Sequence, residues 1–374
     1  PKIVVIGGGN GLNTVIKGLK KYTNNITAIV NMGDDNSSKE EKISRKELSS
    51  LPYGEIKECI IALSDQEDLM RKLFYWQFQN KRLNKLNFGD VYLEAMNEMF
   101  ESTSVGLKKS TEILNITGQV LPTTLDKFKV CAELADGSVV ESKENIPEVA
   151  YDKITKIRRI YIRPSNCRPA PGVIEAIRDA DAIIIGPGSL YTDVLPNLLV
   201  KNVSKEIKES KAIKIYITNL MTEPGQTDNY TVSDHIEALF SHTGKEIIDY
   251  CLVDTGEIVP EYVRKYNLEG QEIVLQDIDR ANKKGVKIIQ KNLSKIEGFY
   301  IRHNSDVIAS SIMELICNDL KFRDKESTPE YLLVNSILED ELKRERKINK
   351  KIQKQNKKNK VKRSKSKGKG KFNT

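Results

Sequence analysis

Histidine is nearly absent from this 374-residue chain: there are three, and a single tryptophan. His235 follows Ser233-Asp234 at the start of a helical stretch, and His242 lies near its end beside Gly244, so both read as capping or surface residues. His303 follows Arg302 in Tyr300-Ile301-Arg302-His303-Asn304. No Ser-His-Asp, Cys-His or metal-ligand spacing results, which speaks against hydrolytic triads and zinc chemistry. The five cysteines (Cys59, Cys131, Cys167, Cys251, Cys317) are far apart, odd in number and never spaced CxxC. That excludes a disulfide framework as the organising device and leads us to expect reduced thiols in a cytoplasm. No 18-residue apolar run occurs, so no membrane-spanning helix is expected. The first residues lack the basic and apolar stretches of a secretory signal, which fits the same cytoplasmic expectation.

Acidic residues are scarce only at one end. The net charge is +8, yet residues 341–374 hold sixteen Lys/Arg and two Glu. The other 340 residues carry 44 basic and 50 acidic side chains, a mild excess of acid. From Lys343 onward apolar residues almost vanish, and such a stretch cannot bury enough surface to offset its ordering entropy. We expect a disordered Lys-rich tail over 343–374, a helix over 326–342 and an α/β body over 1–325. The tail is either a solubilising end or a contact for a polyanion such as RNA, DNA or anionic lipid. With Phe372 its one aromatic, it has little for stacking on bases.

What is abundant is strand–turn–helix alternation. Ile3–Ile6 is a β-branched run that breaks into Gly7-Gly8-Gly9-Asn10-Gly11 and then a helical stretch to about Lys21. Ile26–Val30 reads as a second strand, and Ile157–Ile162, Ala182–Ile185, Ile213–Ile217 and Ile247–Val253 as further core strands. Helical spacing falls at Glu55–Leu63, Leu69–Phe78, Val91–Phe100, Val105–Leu114, Val173–Arg178 and Val307–Leu320. Phe128–Leu134 and Ser138–Ser142 flank Asp136-Gly137, a tight-turn pair, and read as a hairpin. The expected fold is a Rossmann-like α/β body: a mostly parallel sheet with helices on both faces and a small antiparallel hairpin insertion.

Three loops follow strands and carry glycines or polar groups. The first is Gly7–Gly11. The second is Gly186-Pro187-Gly188-Ser189-Leu190-Tyr191-Thr192, with hydroxyls from Ser189 and Thr192. The third is Asn219-Leu220-Met221-Thr222-Glu223-Pro224-Gly225-Gln226-Thr227. Asp34-Asp35, after the second strand, forms a fourth contributor. In a parallel sheet the strands' C-terminal ends share one edge, so these loops should meet around one pocket. Bare glycines and a helix start suit phosphate, although a tight turn without a ligand has the same sequence. Asp34 and Asp35 could bind ribose, hold Mg²⁺ through its waters, or merely cap a helix.

These three loops closely resemble the YvcK-type gluconeogenesis factor family, which is related to the 2-phospho-L-lactate transferases in a CofD-like superfamily. Leu114-Asn115-Ile116 with Gly118, Leu121-Pro122 with Thr124-Leu125, and Tyr230-Thr231-Val232-Ser233-Asp234-His235 extend the likeness across residues 2–320. The resemblance implies a UDP-sugar-binding regulator, with UDP-glucose or UDP-N-acetylglucosamine as ligand. Such a protein is tied to growth on gluconeogenic carbon sources, cell shape and peptidoglycan synthesis, and has no established reaction. It also implies a partner in wall synthesis or metabolism and a homo-oligomer. By motif, Gly7, Gly8, Gly9, Asn10 and Gly11 would face the pyrophosphate, and Asp34 and Asp35 the ribose or sugar. Gly186, Gly188, Ser189, Tyr191, Thr192 and Asn219 would line the pocket. Tyr266 and Arg302 match positions linked to UDP-sugar binding. The alternative is a transferase moving a phosphorylated group from a nucleotide carrier, with Mg²⁺ on Asp34 and Asp35. Three places depart from the family pattern, and in the first Asn36-Ser37-Ser38-Lys39 stands where Gly-Gly-Ser-Ser-Gly is usual. Pro52-Tyr53-Gly54-Glu55-Ile56-Lys57 stands where Pro-Pro-Gly-Asp-Ile-Arg is usual, and Gly89-Asp90 where Gly-Asn is usual. These changes are expected to fall where a sugar or transferred group would lie.

Overall fold

The computed structural model describes residues 1–32, 52–79, 83, 86–319, 329, 331–344 and 346–347. The chain divides into two compact units, Pro1–Ser311 and Ile312–Thr374. In the second unit residues 331–344 are helical, with Val334 and Leu338 buried. The expected tail, 343–374, lies almost wholly outside the described residues.

The first unit is built on a seven-stranded sheet. Its strands are β1 (Ile3–Gly7), β2 (Ile26–Val30), β3 (Gln119–Pro122), β7 (Ala182–Ile185), β8 (Ile213–Ile217), β9 (Tyr250–Asp254) and β10 (Lys287–Lys291). The order is β10-β9-β8-β7-β1-β2-β3, and every pairing is parallel. Strands covered by helices on both faces must be apolar throughout, and Ile3, Val4, Val5 and Ile6 are all buried. Burying each such side chain contributes about 2 kcal/mol. The helix Gly9–Leu19 places Leu12, Val15, Ile16 and Leu19 on its buried face. That spacing turns Asn10, Asn13, Thr14 and Lys17 outward.

β1 sits where the strand order reverses. The chain leaves β1 towards β2 and β3, and leaves its neighbour β7 towards β8, β9 and β10. The loops after β1 and β7 therefore part in opposite directions and leave a crevice between them.

The antiparallel insertion is larger than a hairpin. β4 (Lys129–Leu134) pairs with β5 (Val139–Glu141) as the Asp-Gly turn requires, but also with β6 (Ile157–Arg163). The strand expected at Ile157–Ile162 is present and joins this three-stranded sheet rather than the parallel one. A further hairpin, β11 (Ser294–Glu297) with β12 (Tyr300–His303), turns at Gly298, whose φ is +61°. Among the described residues no helix is long and apolar enough to cross a membrane. All five cysteines are free and buried.

Candidate functional site

The loops after β1 and β7 touch. The Gly186 amide donates to the Ile6 carbonyl at 2.9 Å. A Cβ on Gly11 would lie 2.3 Å from the Pro187 carbonyl oxygen, one on Gly8 3.2 Å from Asp193 Cβ, and one on Gly188 3.0 Å from the Gly8 carbonyl oxygen. Gly188 has φ +156° and Gly9 +62°, so backbone shape and crowding both call for glycine. The loop after β8 joins through Asn219: its side-chain oxygen accepts from the Gly188 amide at 3.1 Å.

A cleft of 310 Å³ opens where these loops meet. Asn10, Gly11, Gly188, Asn219, Tyr266 and Arg302 line it, together with Leu220, Met221, Glu223 and His303. A second hollow of 230 Å³ shares Asn10, Thr14, Arg302 and His303 and is lined further by the ion pairs Lys17–Glu67, Arg71–Glu58 and Lys295–Glu297. Arg302 lines both, its guanidinium 5.0 Å from the Tyr300 ring centre. Tyr266 is buried, and its hydroxyl accepts from the Ile301 amide at 2.9 Å, which fixes the hairpin that carries Arg302.

The other expected residues stand behind this surface. The Gly7 carbonyl accepts from Asn197 Nδ2 at 3.1 Å. The Gly9 amide, at the helix start, donates to Glu55 Oε2 at 2.7 Å, so a carboxylate of the chain occupies the place expected for phosphate. Burial and the neighbouring Asp193 raise the Glu55 carboxyl above its ordinary range. Asp193 in turn meets Lys143 at 2.5 Å. Gly186, with φ +71°, packs against the Ile217 carbonyl. Tyr191 and Thr192 turn inward: Tyr191 meets Tyr230 hydroxyl to hydroxyl at 2.6 Å, and Thr192 donates to Gln226 at 3.4 Å. Ser189 hydrogen-bonds Glu223. Asp34 and Asp35 lie outside the described residues, and among those described no cluster of three His, Cys, Asp or Glu could hold a metal.

Two readings are corrected. His235 is fully buried rather than at the surface, and the half-buried His242 accepts from the Ile160 amide at 2.9 Å while its Nδ1 lies on the Ala238 carbonyl of the last helical turn. Their helix packs one side into the core, and position in sequence alone does not say which. Lys57 was expected near a ligand, yet it is 1% exposed and pairs with Asp90 at 2.9 Å. Two of the departures from the family pattern thus meet each other inside the protein, and the third, residues 36–39, lies outside the described residues. His303 emerges as a cleft residue: Nε2 donates to the Thr218 carbonyl at 3.2 Å, and burial pushes its pKa down to about 4. Glu223 is the other, a carboxyl that burial pushes up to about 7. The alternating face of β12 could have suggested His303; no local pattern marks Glu223 beyond its place in the third loop.

The sequence profile described as "2-phospho-L-lactate transferase CofD" matches residues 3–294. The gluconeogenesis factor of Bacillus subtilis is 38% identical over 317 residues, covering 84% of this chain and 98% of that protein. The chain belongs to the gluconeogenesis factor family. A Clostridium acetobutylicum relative, given the same name provisionally, is 41% identical over 95% of this chain and 77% of its own length. A crystal structure of a protein from Bacillus halodurans has the same fold, with TM-score 0.76, 36% identity, and coverage of 83% of this chain and 99% of that one. This family member thus keeps the architecture of that solved relative over nearly its full length.

Proposed function

We propose that this family member is a regulator that binds a nucleotide sugar, with UDP-N-acetylglucosamine or UDP-glucose as ligand, in the cleft bounded by Gly188, Asn219, Tyr266 and Arg302. One observation carries the reading: Arg302 lines both of two neighbouring hollows at the C-terminal edge of the sheet. A guanidinium shared by two hollows is the group of choice for a bridging pyrophosphate, with the nucleoside in one hollow and the sugar in the other. The first hollow, at 310 Å³, falls at the lower end of the range of small-ligand sites. Binding would bias the hairpin that carries Arg302, which a partner in wall synthesis or central metabolism reads. Two copies of the chain would form the assembled regulator, which would act in growth on gluconeogenic carbon sources and in cell shape; the name of its relatives supports the first of these roles.

Isothermal calorimetry of the full chain with UDP-N-acetylglucosamine, UDP-glucose and NAD tests this. We expect heat with a UDP-sugar and none with NAD. No heat with either UDP-sugar contradicts it.

The family profile's transferase description favours a second reading. Phosphoryl-type transfer needs positioning and charge neutralisation more than a nucleophile, so a sparse site suits it. Asp34 and Asp35 would hold Mg²⁺, which would neutralise phosphate charge. Turnover abolished by Asp35→Asn would support this reading, and no turnover with any donor–acceptor pair would count against it.

A further inference from the structure

The cleft is lined by one acid and one permanent cation. Among its described lining residues Glu223 is the one carboxyl and Arg302 the one permanent cation, because His303 is held neutral by burial. A site built for two anionic ends would not carry a carboxyl.

Glu223 is also held in a particular way. Asn219 Nδ2 donates to Oε1 at 2.9 Å and Gln226 Nε2 donates to Oε2 at 3.0 Å, with Ser189 as a further partner. Neither amide is free to turn. The Asn219 oxygen is taken by the Gly188 amide, and the Gln226 oxygen by the Thr192 hydroxyl. Each amide must therefore show its NH₂ to Glu223, which fixes the carboxyl as an acceptor at the cleft wall. A carboxylate oxygen has two acceptor positions, so these partners leave capacity towards the cleft.

We propose that Glu223 is the specificity-determining residue of the cleft, accepting a hydrogen bond from a ribose or hexose hydroxyl of the ligand whose phosphates lie at Arg302. The inference rests on the nucleotide-sugar reading and sharpens it: the cleft selects a hydroxyl-bearing phosphate ester over bare phosphate. Burial, with the nearby Asp193, raises the Glu223 carboxyl even though the hydrogen bond from Ser189 opposes the shift.

The experiment is calorimetry of the full chain and of Glu223→Gln with UDP-glucose, alongside the thermal upshift produced by inorganic pyrophosphate. Glu223→Gln is nearly isosteric, and its melting curve without ligand reports folding. We expect UDP-glucose affinity to fall at least about tenfold, since a site built around a hydroxyl loses much when the match is broken. The pyrophosphate upshift should be the same in both proteins. Unchanged UDP-glucose affinity overturns the proposal, and so does an equal loss for both ligands, which would mark a structural brace. No heat from the unmodified chain with UDP-glucose, while UDP-N-acetylglucosamine also gives none, overturns the underlying reading instead and this proposal with it.

Discussion

Gly11 faces the carbonyl oxygen of Pro187 so closely that a Cβ there would sit 2.3 Å away. The first and second glycine loops are thus interlocked by backbone rather than held apart by a ligand. Gly11→Ala cannot be absorbed by a side-chain rotation. We expect it to destabilise the protein by about 2–3 kcal/mol. Nucleotide-sugar affinity should fall with it, because the same contact shapes the cleft. Urea unfolding and calorimetry on the one variant check both.

Arg302→Lys should separate charge from shape. The residue is exposed, so stability should change by less than about 0.5 kcal/mol. Lysine keeps the charge but loses the fork, and UDP-sugar affinity should drop about tenfold, the weight of one charge-assisted contact. Arg302→Ala should lose more. Equal affinity for all three proteins would remove Arg302 from the site.

Lys57 and Asp90 form an ion pair with both side chains at 2% exposure or less. Lys57→Met alone, or Asp90→Leu alone, leaves an uncompensated buried partner and should cost about 3–5 kcal/mol. The double variant should recover most of that loss. Additive single losses in a double-mutant cycle would show that the pair is not coupled.

Two cleft residues give the protein opposite pH sensitivities. His303 has its pKa pushed down to about 4, below the ordinary imidazole range. The unfolded chain then binds the proton more readily, so stability is lost as pH falls from about 6.5 towards 4, by up to about 3 kcal/mol. Glu223 lies the other way, raised to about 7. Its folded form holds the proton longer, so stability is fully present at low pH and is lost as pH rises from about 4.5 through 7, by a similar amount at most. His303→Gln should flatten the acid limb of a stability–pH curve, and Glu223→Gln the limb rising to neutral pH. Thermal melts across pH 4–8 would show this, and parallel curves for all three proteins would contradict it.

The fold was legible where one signal sufficed. β1 and β7 are apolar, mostly β-branched runs, as burial on both faces requires, and β2 and β8 keep isoleucines or valine around a buried Thr27 and Lys214. β3, four residues ending in Pro122, is too short and too mixed to stand out, and as an edge strand it tolerates the proline. β6 showed as a strand, but its partner is set by contacts distant in sequence that periodicity does not encode. At the site, the switch of strand order could be foreseen from alternating strands and helices, and with it the meeting of the loops. Which loop atoms face the ligand could not. Gly7 and Gly9 give their backbone groups to Asn197 and Glu55, and Tyr191 gives its hydroxyl to Tyr230. Such pairings depend on the side chains that arrive from other elements. The interior meeting of Lys57 with Asp90 was hidden for the same reason.

The central claim is that the ligand lies where the loops after β1, β7 and β8 converge. A crystal structure of the full chain with UDP-N-acetylglucosamine tests it most directly. The account predicts density in the cleft beside Asn219 and Glu223, with the pyrophosphate at Arg302. Density instead in the 820 Å³ hollow at the opposite sheet edge, lined by Asn25, Thr27 and Gly118, would contradict it.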